Sequence, residues 1–172
     1  MISIVFELCV PLEKKANMAY SQIQKMEVNV HIMASAEQFH DVLCNKTHHI
    51  ANISPQNIKS VQILKGEWGT EGSIIFWNYV LDGKACVSTN MVEGIDKENN
   101  KVNLKVIDGE MLKNYKSCTF IAQAIPKENG SVVNWVAEYE KQNANTPEPH
   151  TIMELITEMT EEIGAYLTQH TI

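Results

Sequence analysis

The chain contains no arginine: all fourteen basic residues are lysine, against 21 aspartates and glutamates, for a net charge of −7. Without the planar fork that clamps phosphates and reads guanine edges, and with an acidic balance, nucleic acid and anionic membrane surfaces are excluded as partners. Cysteine is sparse. Cys9, Cys44, Cys86 and Cys118 form no C-x-x-C pair and have no histidine at zinc-finger spacing, which excludes a disulfide framework and a structural zinc and points to a reducing, cytoplasmic compartment. The triplets at Asn45, Asn52 and Asn129 match the glycosylation pattern, which matters only on a secreted chain. Long hydrophobic runs are missing too. Ile2 to Leu12 is interrupted by Glu7, lacks a cationic segment before it and is too short to span a bilayer. Residues 1–21 therefore read as a poorly ordered extension, the first seventeen loosely attached, with Met18 as an alternative start. Residues 22–172 form one domain, the size expected of a single core.

What is present is patterning. Val28, Val30 and Ile32 alternate with Glu27, Asn29 and His31, which predicts a half-buried strand over 26–33. Ser35, with Gln38 three residues on, opens a short helix carrying Ala36, Phe39, Val42 and Leu43, and a second helical piece follows from His48 to Ile53. From Ile58 to Lys141 the chain reads as six strands joined by turns, including the hairpin signals Asp82-Gly83 and Asn129-Gly130. Strands joined without intervening helices require an antiparallel meander. After Pro147 and Pro149 the period becomes helical: Ile152, Leu155, Ile156, Met159, Ile163, Tyr166 and Leu167 share one side, and Glu154, Glu158 and Glu161 the other. Such a helix must bury its stripe, and the inner face of the sheet is the available partner.

Most candidate chemistry dissolves on inspection. Gly66 to Gly72 has G-x-x-G-x-x-G spacing, but it runs into a strand rather than a helix, and Glu67 and Glu71 would repel a phosphate. Glu154, Glu158, Glu161 and Glu162 read as a solvated helix face. His48 and His49 are adjacent and diverge on a helix, and no triad or metal set can be assembled; the expectation is no metal and no cofactor. The unusual feature is the inward alternation of large and soft side chains: Ile75, Trp77 and Tyr79; Cys118, Phe120 and Ala122; Val133, Trp135, Ala137 and Tyr139. Periodicity alone supports a packed core; a curved sheet gripping one helix also allows a cavity lined by rings with polar tips.

Several ordered motifs carry a family resemblance. Gly66–Tyr79 (GEWGTEGSIIFWNY), Asp82–Lys84 (DGK), Val106–Gly109 (VIDG), Tyr115–Ser117 (YKS), Trp135–Lys141 (WVAEYEK) and Pro147–His150 (PEPH) resemble the plant major latex protein-like family of the Bet v I and START-like superfamily. The resemblance implies an α+β helix-grip fold, a seven-stranded antiparallel sheet wrapped around a long C-terminal helix, with two short helices after the first strand. It also implies a plant protein of defence or specialised metabolism that holds a hydrophobic or amphipathic small molecule, acting as a monomer or weak homodimer. Carried onto this sequence, the cavity positions are Phe39, Trp77, Tyr79, Ser88, Asn90, Leu104, Phe120, Trp135, Tyr139, Ile152, Leu155, Ile156 and Met159. The glycine-rich turn is expected near the cavity, although Trp68 stands where many allergen-type members have glycine. Some relatives catalyse cyclisation, isomerisation or condensation. For a cyclase or isomerase acting on a reactive terpenoid or alkaloid intermediate, Tyr79, Asn90 and Tyr139 are the candidate hydrogen-bonding groups, with His48 and His49 as acid/base groups at an entrance. No lysine sits on an inward face, which disfavours condensation with an amine.

Overall fold

The computed structural model describes residues 22–170. The expected extension over 1–21 and the alternative start at Met18 lie outside the described residues. Strand β1 (Ile23–Ile32) begins three residues before its alternation does, because backbone pairing continues past the last buried side chain and leaves Ile23 exposed. Ser35 then caps α1 (Ala36–Asn45) with a reciprocal box: its Oγ accepts from the Gln38 N–H at 3.1 Å, and Gln38 Oε1 accepts from the Ser35 N–H at 3.2 Å. A 3₁₀ turn, Thr47–His49, leads into the single turn α2 (Ile50–Ile53).

Six strands follow: β2 (Ile58–Lys65), β3 (Ile74–Leu81), β4 (Lys84–Asp96), β5 (Lys101–Gly109), β6 (Tyr115–Lys127) and β7 (Gly130–Lys141). One helical turn, α3 (Met111–Asn114), interrupts them, too short to leave a period in the sequence. The long helix α4 (His150–Gln169) closes the chain. All neighbouring strands are antiparallel, in the order β1-β7-β6-β5-β4-β3-β2. The sheet thus has the seven strands, the long C-terminal helix and the short helices after the first strand that the helix-grip expectation requires.

Two devices shape the sheet. Asp82 and Gly83 both have positive φ, at 50° and 74°, the backbone that matches a two-residue hairpin to the strand twist. The β4–β5 register shifts twice, leaving Ile107 of β5 and Glu93 of β4 without a partner; such bulges bend a strand and increase its twist. The curved inner face closes on α4 through Ile152, Met153, Leu155, Ile156, Met159, Thr160, Ile163 and Gly164. Full burial of each large apolar side chain contributes about 1.5–3 kcal/mol. Gly164 lets the helix approach β1, since a Cβ there would lie 2.7 Å from Ile32 Cβ and Cγ2.

The helix departs from its expected stripe in two places. Tyr166 is 37% exposed and packs on His170, because every residue from Ala165 to His170 lies where the helix end is at least partly open to solvent. Glu162 is half-buried rather than fully solvated: with Glu158 it accepts hydrogen bonds from Asn57 Nδ2, at 3.3 and 3.2 Å, tying the turn before β2 to α4. Among the described residues, no helix is long and apolar enough to cross a membrane.

Candidate functional site

The inner faces of six strands, β2 to β7, and α4 enclose a cavity. On β3, alternation sends Ile75, Trp77 and Tyr79 inward while Phe76 and Asn78 stay half-exposed. Register then places Ser88 opposite Trp77 and Asn90 opposite Ile75 on β4. Leu104, Phe120 and Trp135 continue the wall on β5, β6 and β7, and α4 supplies Ile152, Leu155, Ile156 and Met159. Between them lies a cavity of about 70 Å³, closed further by Leu43 of α1, Ile58 of β2 and Met111 of α3.

All the residues expected to line a cavity stand on this wall except Phe39 and Tyr139. Phe39, 1% exposed, packs within the core, and Leu43, one turn on in α1, takes the wall position. Tyr139 is buried, but its hydroxyl donates to Glu148, which also accepts from Lys141 Nζ. That network, with Tyr115 Oη donating to the Pro147 carbonyl at 2.6 Å, fastens the segment leading into α4. The Lys141 and Tyr139 hydrogen bonds hold the Glu148 carboxyl below the usual range, while burial and the Glu148 contact push the Tyr139 phenol up. Leu43, Ile58 and Met111 are the wall residues absent from the expected set: Leu43 shares the α1 stripe with Phe39, Ile58 starts a strand, and Met111 sits in the one-turn α3.

The polar content of the wall is small and concentrated on β3 and β4. Ser88 Oγ donates to Asn90 Oδ1 at 2.6 Å. Trp77 Nε1 and Tyr79 Oη are buried with no hydrogen-bond partner among the described residues. Burial pushes the Tyr79 phenol well above its ordinary range, so it stays protonated. Among the described residues, no other ionisable side chain lines the cavity. Trp135 differs in this respect: its Nε1 donates to Thr160 Oγ1 at 3.0 Å, and the Thr160 hydroxyl in turn donates to the Ile156 carbonyl at 2.7 Å. This bond pins β7 to α4.

His48 and His49 lie outside the cavity wall. Both are exposed on the 3₁₀ turn, where the His48 ring stacks on Trp68 of the glycine-rich turn at 4.8 Å. Desolvation, and secondarily His49, lowers the His48 pKa. The turn itself is closed by Ser73, whose Oγ donates to the Glu67 carbonyl at 2.7 Å and accepts from the Glu67 N–H. It packs on the end of α1: a Cβ on Gly69 would meet Asn45 Oδ1 at 1.9 Å. His40, which sequence patterning did not single out, is buried beside Cys44, whose Sγ lies 3.7–3.8 Å from the ring nitrogens. Burial raises the Cys44 and Cys118 thiols to about 12, so both stay protonated. Among the described residues, no three metal-ligating side chains converge.

A curved antiparallel sheet gripping one long helix over an apolar cavity defines a helix-grip protein. Residues 21–170 match the family described as "Pathogenesis-related protein Bet v 1 family". MLP-like protein 34 of Arabidopsis thaliana is 42% identical over 146 residues, covering 84% of this chain and 46% of its own length. MLP-like protein 43 of the same plant is 38% identical, covering 87% of this chain and 96% of its own length. The chain thus spans about half the length of the former and nearly all of the latter. The crystal structure of major latex-like protein 151 from Panax ginseng superposes with a TM-score of 0.82 at 29% identity, covering 85% of this chain and 98% of that one. The chain belongs to the Bet v 1 family, within its major latex protein-like members.

Proposed function

We propose that this chain binds a hydrophobic or amphipathic small molecule, a specialised metabolite, hormone or lipid, in the cavity between the sheet and α4. The observation that carries the reading is an apolar wall that retains two donors, Trp77 Nε1 and Tyr79 Oη, with no partner among the described residues, where a packed core pairs such groups. Pockets that enclose drug-sized ligands span roughly 300–1,000 Å³, against about 70 Å³ here. A compact ligand fits the wall with little movement, whereas a sterol- or lipid-sized one requires the cavity to widen. The free thiols of Cys44, Cys86 and Cys118 support a cytoplasmic setting, and the family description supports a role in defence.

Native mass spectrometry of the protein isolated from its source tissue tests the reading, together with fluorescence titration of a panel of plant metabolites. Trp77 and Trp135 both stand on the wall, so a bound ligand shifts their emission. An unliganded mass and unmoved emission across the panel would count decisively against it. A second reading, a cofactor-independent cyclase or isomerase holding a reactive enol of terpenoid or alkaloid type, is favoured by the same donors. Positioned hydrogen bonds at a developing oxyanion lower a barrier without an ionised base. Tyr79 and Asn90 are its candidate groups; Tyr139 is engaged with Glu148, and the two histidines stand outside the cavity wall. A product ratio identical to that in buffer over a series of such intermediates rejects it.

A further inference from the structure

Building on the ligand-binding reading, we propose that Trp77 and Tyr79 form a two-donor subsite that selects an uncharged carbonyl compound. The two residues are i and i+2 on β3, so their side chains leave the same face about 7 Å apart along the strand. Both are more than nine-tenths buried and both line the cavity. An N–H and an O–H withdrawn from water without a partner each disfavour folding about tenfold or more, so the wall is poised to gain when an acceptor arrives.

The rest of the wall decides which acceptor. Asn90 Oδ1 already takes the Ser88 hydroxyl at 2.6 Å. A carbonyl oxygen brings two lone pairs and no hydrogen, so it accepts from both donors at once, while an alcohol must also place its own hydrogen on an acceptor such as Ser88 Oγ. An ionised ligand is excluded, because the described residues place no lysine, histidine, aspartate or glutamate on the wall to compensate a buried charge. With no lysine on the wall, the carbonyl is held by hydrogen bonds and forms no imine. The remaining contacts, Leu104, Phe120 and Met159 among them, suit an apolar body.

The test compares cyclohexanone with methylenecyclohexane, which replaces C=O by C=CH₂ at nearly the same shape, and adds cyclohexanol as a third probe. Each is titrated into the wild-type protein, Tyr79→Phe and Trp77→Phe, following the indole N–H signals by ¹H–¹⁵N NMR. The expected result is that cyclohexanone shifts the Trp77 indole signal while methylenecyclohexane leaves its N–H in place, and that cyclohexanol binds more weakly than the ketone. Tyr79→Phe should weaken cyclohexanone about three- to tenfold, the worth of one hydrogen bond, and leave methylenecyclohexane within twofold. If all probes bind with the same relative affinities in wild type and variants, the donor subsite is overturned while the ligand-binding reading stands. If no probe binds the wild-type protein up to its solubility while the metabolite panel still moves the tryptophan emission, the donor subsite is overturned and the ligand-binding reading stands; if the panel fails as well, both are overturned. Should Tyr79→Phe fail to fold, the wild-type indole shift and Trp77→Phe decide the same question.

Discussion

Replacing Tyr79 by phenylalanine removes one buried hydroxyl from the cavity wall and leaves the ring that packs there. In the ligand-free protein this hydroxyl has no hydrogen-bond partner among the described residues, and the side chain is 4% exposed. A buried polar group left unpaired costs about 1–3 kcal/mol, because the unfolded chain hydrates it and the folded chain does not. Tyr79→Phe is therefore expected to stabilise the ligand-free protein by about 1 kcal/mol, raising Tm by about 2–4 °C for a chain of this size. Tyr115→Phe is the internal control, since its hydroxyl donates to the Pro147 carbonyl at 2.6 Å. Removing it should destabilise by about 0.5–1.5 kcal/mol. Urea denaturation followed by circular dichroism reads both, provided the slope m is unchanged. A Tyr79→Phe protein destabilised by as much as Tyr115→Phe would show that the Tyr79 hydroxyl is satisfied in solution, and the donor argument would fall with it.

Two further perturbations probe the frame. Gly164→Ala places a methyl 2.7 Å from Ile32 Cβ and Cγ2, and should cost about 1–3 kcal/mol by overpacking; Ile32→Ala in the same chain should recover part of it, and strict additivity in a double-mutant cycle would contradict the close approach. Burial lowers the His40 pKa from 6.5, against the raising influence of a hydrogen bond with the Asn100 backbone and of Asp41 and Asp96, with Lys97 adding to the lowering and Cys44 in contact. The unfolded chain therefore holds the extra proton between the two values, so stability is lost as pH falls below 6.5 through the folded value. His40→Gln should flatten that part of the stability–pH curve measured by chemical denaturation, and an unchanged slope would rule His40 out as its source.

Much of the fold is legible in the chain because its signals are local. The period-two alternation of β3 and β7, the Asp82-Gly83 turn, the Ser35–Gln38 box and the 3.6 period after Pro149 each depend on a few neighbouring residues. The strand faces they define hold in the structure: Trp77, Tyr79, Phe120 and Trp135 all point inward. What alternation leaves open is what an inward side chain meets. Phe39 and Leu43 share one helical stripe, yet only Leu43 reaches the cavity wall. Tyr139 and Tyr79 share the same inward pattern, yet one hydroxyl reaches Glu148 while the other has no partner among the described residues. Met111 lies in a helix of one turn, too short to carry any period.

The sequence by itself determined the element order apart from the one-turn α3, the antiparallel meander, the strand faces and, through its ordered motifs, the family. Those properties follow from backbone geometry acting over two to seven residues. Only the tertiary structure decided the size of the cavity, the separation of His48 and His49 from its wall and the pairing of each buried polar group. These depend on bulges between β4 and β5, on how closely Gly164 lets α4 approach β1, and on distances between residues more than a hundred positions apart. Such distances exist only once the sheet has closed around its helix.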